Sequence, residues 1–95
     1  MKVRWSPLAL ADREAIFNFA VTDSPRRAIV WDERISASVR RLRLFPNLGR
    51  VGRVSGTREL VIESTPFVLA YRYEDDALTI LRVVHSARRW PGNID

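Results

Sequence analysis

The chain has 95 residues, 46% of them hydrophobic and 28% charged, a balance that excludes a disordered polymer and fits an ordinary folded soluble domain. Its formal net charge is +5, and all but one of its sixteen basic residues are arginine, whose planar fork suits bidentate contact with phosphate or carboxylate. Cysteine is absent, which excludes a disulfide framework and any thiolate nucleophile or metal site. A chain of this length is expected to form one domain over residues 1–95 around one modest core. No apolar run approaches the roughly 18 residues that span a bilayer, and the start MKVRWSPL lacks a secretory h-region. A cytoplasmic protein with no membrane partner is the expectation.

Lys2-Val3-Arg4-Trp5 alternates polar and apolar residues and predicts a short first strand. Ser6-Pro7 then supplies an N-cap and a proline at the first helical position, so a helix is predicted from Pro7 to about Val21. At 100° per residue Leu8, Ala11, Ala15, Ile16 and Phe19 form one apolar face, and Leu10, Phe17 and Val21 fall near the opposite side. The second stripe implies either burial against a neighbouring helix or a docking groove for a partner. Asp23-Ser24-Pro25 repeats the capping signal, and a connection that short forces an antiparallel helical hairpin. The second helix is predicted from Pro25 to about Leu44, with Ala28, Trp31, Ile35, Val39 and Leu42 in one stripe and a polar, mostly arginine, outer side.

Phe45-Pro46-Asn47-Leu48-Gly49 ends that helix. From Arg40 to Arg58 six arginines occur with no acidic residue, so Arg50-Val51-Gly52-Arg53 reads as a flexible loop able to close on a phosphate backbone. Three strands are predicted next, around Leu60–Ile62, Phe67–Tyr71 and Ile80–Val84, cut apart by Thr65-Pro66 and Glu74-Asp75-Asp76 into an antiparallel meander. Arg58, Arg72 and Arg82 lie in or at the start of these strands, where each needs either a ligand or a cross-strand partner such as Glu59, Glu63 or Glu74. His85, the one histidine, ends the last strand just before Arg88-Arg89-Trp90. Glycine-rich phosphate loops, HExxH and G-x-S-x-G elbows are absent, and no cofactor or metal is expected.

Four strings carry a resemblance: SPLALADREAIFNF, LRLFPNLGR, GTRELVIESTPFVLAYRY and ILRVVHSARRWP. Over positions 3 to 91 the chain resembles the RelE/ParE superfamily of bacterial type II toxins, the ParE-like branch more than the RelE-like one. The resemblance implies an α+β fold of order β-α-α-β-β-β, with the helical hairpin packed on one face of a small twisted sheet. It also implies a toxin held in a hetero-oligomer by a cognate antitoxin with a small acidic C-terminal segment. The ParE-like branch poisons DNA gyrase; the RelE-like branch cleaves messenger RNA on the ribosome and places a basic residue early in the third strand, where this chain has Phe67 and Val68. The expected target- or anion-binding residues are Arg50, Arg53, Arg58, Arg72, Arg82, Arg88 and Arg89. Leu10, Phe17 and Val21 are expected to meet the antitoxin. His85, Arg82 and Arg88 would be catalytic only in a RelE-like ribonuclease, and a third alternative is an inactive toxin that keeps only antitoxin binding.

Overall fold

A computed structural model describes residues 1–94; Asp95, the last residue of the expected 1–95 domain, lies outside the described residues. The elements are β1 (Lys2–Trp5), α1 (Pro7–Asp23), α2 (Pro25–Leu44), β2 (Arg50–Val51), β3 (Arg58–Val61), β4 (Phe67–Glu74) and β5 (Ala77–His85). They build the expected α+β architecture: one five-stranded sheet of order β1-β5-β4-β3-β2. β1 runs parallel to β5 and all other neighbours are antiparallel. The α1–α2 hairpin covers one sheet face. Its Ala9, Ile35, Val39 and Leu42 join Leu60, Ile62, Leu69, Tyr71, Leu78 and Ile80 in the core.

Local chemistry explains the joints. Ser6 caps α1 by accepting the Ala9 N–H at 3.0 Å, and its hydroxyl donates to the Leu81 carbonyl at 2.8 Å, tying the helix start to β5. Ser24 serves both helices: its N–H ends α1 on the Ala20 carbonyl, and its Oγ accepts the Arg27 N–H at the start of α2. A single residue therefore turns the chain between them. The β4–β5 hairpin turns on Asp75 and Asp76, both at positive φ (53° and 56°), as a two-residue turn matching strand twist requires.

Two expectations need correction. On α1 the expected core face is rotated: Ala9 and Ala20 are buried, while Ala11, Ala15 and Phe19 are exposed, Phe19 at 72%. A helix with apolar residues all round is oriented by what fits, and the two small alanines let it lie close on the sheet. Arg50-Val51 is not loop but an edge strand, because its carbonyl and amide groups find Glu59 and Arg58 of β3. The α2 stripe lies as expected, with Ala28, Ile35, Val39 and Leu42 buried.

The turn between α2 and β2 is pinned by Tyr71. Its hydroxyl donates to the Pro46 carbonyl at 2.8 Å and accepts the buried Gly49 N–H at 2.9 Å. Burial pushes the phenol upward in pKa, so it stays protonated and able to donate. A Cβ at Gly49 would lie 2.7 Å from that ring and 2.9 Å from the Glu59 carbonyl, which is why the position is glycine. Tyr71→Phe is expected to orphan both backbone groups and cost about 1–3 kcal/mol, read as a lower urea midpoint at unchanged slope.

Candidate functional site

Strand register sorts the arginines by face. Arg50 pairs with Glu59, Glu59 with Ala70 and Ala70 with Arg82, so these residues form one row across the sheet; Glu59 and Ala70 face away from the helices, whereas Arg82, on the stretch of β5 beyond the end of β1, reaches α1. Arg4, Thr79 and Arg72 form the adjacent row on that face. Arg58 sits in a row with Tyr71 and Ile80 on the helix side, where its Nη1 donates to the carbonyl of Gly49 at 2.8 Å and of Asn47 at 3.4 Å. The sequence-predicted arginines therefore do not share one surface.

Most of them are engaged within the fold; Arg58 and Arg82 are held by partners other than the expected cross-strand acids, backbone carbonyls for Arg58 and Asp12 for Arg82. Glu59 is only 3% exposed and collects Arg50 Nη2 at 3.0 Å, Arg53 Nε at 3.1 Å and the Arg53 backbone N–H at 2.8 Å. Burial alone would raise the pKa of its carboxyl, but those hydrogen bonds outweigh it and hold the group at about 2. The same Arg53 guanidinium lies 3.7 Å over the Trp90 ring, which brings the segment after β5 back across the sheet. Arg72 is likewise engaged.

Arg82 stands where the β4–β5 register shifts between Ala70 and Tyr71. Its guanidinium grips Asp12 of α1 in a two-pronged pair, Nε to Oδ2 at 2.7 Å and Nη2 to Oδ1 at 3.0 Å, while Asp12 Oδ2 also accepts the Val83 N–H at 2.9 Å. The Asp12 hydrogen bond raises the Arg82 pKa further, against the opposing pull of burial. Arg88 and Arg89, by contrast, are exposed beyond the strand end.

His85 closes β5. Its ring meets Phe67 edge-on at 5.5 Å, and its Nδ1 accepts the Ala87 backbone N–H at 3.1 Å. In the neutral imidazole the proton is then on Nε2, and the Nδ1 lone pair is engaged by the Ala87 amide in this conformation. Around His85 opens a cleft of about 370 Å³. Ala15, Ile16 and Phe19 of α1 form one wall, Trp31 and Phe67 the floor, and Arg88 the rim. A shallower groove of about 250 Å³ continues from it past Asp12, Arg82 and Arg89. Of the expected antitoxin stripe, Leu10 is 54% exposed, whereas Phe17 and Val21 are half-buried. Sequence reading missed Asp12, Glu59 as a hub, and the Phe19 wall; only Glu59 carried a signal, as the first acid after the arginine run. Among the described residues no group of three or more His, Asp or Glu side chains could hold a metal ion, and no helix is long and apolar enough to cross a membrane.

The comparisons converge. Residues 3–90 match the family model described as ParE toxin of type II toxin-antitoxin system, parDE. The chain is 36% identical over 90 residues to Y4kP of Sinorhizobium fredii, a toxin candidate by name, covering 95% of this chain and 93% of the relative. It is 33% identical over 87 residues to toxin RelE2 of Caulobacter vibrioides, covering 92% and 97%. A solved structure titled as a chromosomal ParDE system from P. aeruginosa superposes with a TM-score of 0.80 at 30% identity, covering 90% of this chain and 95% of the other.

Proposed function

The chain belongs to the ParE toxin family of type II toxin-antitoxin systems, and on that premise we propose that it acts on DNA gyrase in the cytoplasm by binding rather than by cutting RNA. Its partner in the resting cell is the cognate antitoxin, and the two form a hetero-oligomer. The observation that carries the gyrase reading is His85: the one imidazole of the chain spends its Nδ1 lone pair on the Ala87 amide. Cleavage of RNA without a metal needs a base to take the 2′-OH proton, and lacking one typically forfeits about 10²–10⁴-fold in rate. Arg82 is a poor substitute, being held by Asp12, and an arginine keeps its proton at every working pH.

A RelE-like ribonuclease is the second reading, favoured by His85 and Arg88 sharing the rim of one accessible cleft. Two assays on the purified toxin separate these readings: gyrase supercoiling, and primer extension on messenger RNA in a translating extract. Gyrase inhibition unaffected by His85→Ala and weakened about tenfold by Arg88→Ala is the expected result. Codon-phased cuts abolished by His85→Ala, with gyrase untouched, would reverse the choice. Failure of both activities would leave the inactive, antitoxin-binding reading. Leu10, Phe17 and Val21 remain the proposed antitoxin contacts on α1, with Leu10 the part that is open to a partner.

A further inference from the structure

The fold gathers the arginine run of residues 40–58 at one end of the molecule, around the β2 edge. Arg41 and Arg43, in the last turn of α2, are exposed, and their side chains have no acid partner among the described residues. Arg50 and Arg53 share one carboxylate, that of Glu59, and Arg58 is held by backbone carbonyls that leave its charge intact. Much of the chain's net charge of +5 therefore sits here. The cleft beside His85 is elsewhere: Trp31, which borders it, lies about 18 Å from Arg43 along the axis of α2.

Between these arginines the turn over residues 45–49 is braced from within. Tyr71 holds the Pro46 carbonyl and the Gly49 N–H, Arg58 holds the Asn47 and Gly49 carbonyls, and the Leu48 N–H donates to the Phe45 carbonyl at 3.0 Å. The polar backbone groups are thus used inside the fold, and the apolar side chains are left outside: Leu44 is 73% exposed, Phe45 62% and Leu48 41%. A rigid, protruding apolar ridge flanked by cations fits a groove with anions along both walls. Duplex DNA offers that combination, because its minor groove runs between two phosphate strands and admits arginines beside an apolar wedge that unstacks a base step. We propose that the corner between α2 and β2 binds duplex DNA through the minor groove, with Phe45 and Leu48 as the wedge and Arg41, Arg43 and Arg50 on the phosphates. The inference goes beyond the gyrase reading; on that reading it gives the toxin a second hold, on the duplex that the enzyme works on.

The test is fluorescence anisotropy of a labelled duplex of about 20 base pairs, titrated with the full chain at several salt concentrations and with no gyrase present. Binding of about 10⁻⁶–10⁻⁴ M near physiological salt, falling steeply as salt rises, is expected. The double variant Arg41→Gln with Arg43→Gln should lose at least about tenfold in affinity and flatten the salt slope by about 2. Phe45→Ala should keep the slope but lose the bend, read by energy transfer between dyes at the two duplex ends. Arg26→Ala removes an exposed charge from the first turn of α2, far from the ridge, and should change neither quantity. All four positions are exposed, and circular dichroism checks that each variant is folded. Wild-type affinity in the double variant overturns the proposal, as does an equal loss from Arg26→Ala or an unbent duplex with the wild-type chain. Equally tight binding of polyglutamate also overturns it, in favour of an acidic protein as the partner of this corner. Gyrase inhibition without duplex binding would sink this inference alone, and duplex binding with gyrase untouched would sink the gyrase reading alone.

Discussion

Glu59→Gln is expected to remove about 3 kcal/mol of stability at pH 7, from the carboxyl's fall from 4.5 to about 2 on folding. For a chain of this size that corresponds to a melting temperature lower by roughly 15 °C. Among the described residues the buried carboxylate is the acid paired with both Arg50 and Arg53. Glutamine keeps the shape and one acceptor but none of the charge. The pH dependence has a definite sign. The folded-state pKa is depressed, so the stabilisation is complete above the unfolded value of 4.5 and is lost as the pH falls toward 2. The wild-type chain should therefore weaken steeply between about pH 5 and pH 2, and the variant should show a shallower decline over the same range. Chemical denaturation at several pH values checks this; parallel acid limbs in the two proteins would refute it. Arg50→Ala should cost less than about 1 kcal/mol, because its guanidinium is 57% exposed and Arg53 remains.

Glu59 also shows why part of the site escaped the sequence. The run from Arg40 to Arg58 looks like an unbalanced positive face, but the balancing acid is the next residue. It serves Arg50 only because β2 folds back to put the two in register. A two-residue edge strand has no periodicity to announce it, and glycines on both sides read as loop. Asp12 was hidden for a different reason: its partner lies 70 residues away, and no local pattern encodes that distance. Features set by neighbours in sequence were legible. The Ser6-Pro7 and Ser24-Pro25 caps placed both helix starts, and the spacing of Ala28, Ile35, Val39 and Leu42 oriented α2. α1 offered apolar residues on every side, so its rotation, and with it the exposure of Phe19, was decided by packing alone.

Breaking the Asp12–Arg82 pair is expected to have the largest effect of any single surface-proximal change. Asp12→Ala strands a guanidinium that is only 16% exposed and orphans the Val83 N–H, at a stretch of β5 where β1 has already ended. Removing one partner of a buried pair typically costs 3–5 kcal/mol, and the residual exposure here points to the lower end, about 3 kcal/mol. Arg82→Ala should cost nearly as much by leaving the carboxylate behind. The double change Asp12→Ala with Arg82→Met should be milder than the sum of the single changes, since no charge is then left unpaired. Urea denaturation of the four proteins measures the coupling; additive losses would show that the pair carries no structural weight. The result also decides how toxicity data are to be read. If Arg82→Ala abolishes growth inhibition, the cause is first of all a loosened joint between α1 and β5, not a missing contact to the target. Arg88 is exposed and outside the Asp12–Arg82 pair, so on the proposed gyrase reading Arg88→Ala should keep the wild-type urea midpoint while weakening gyrase inhibition about tenfold.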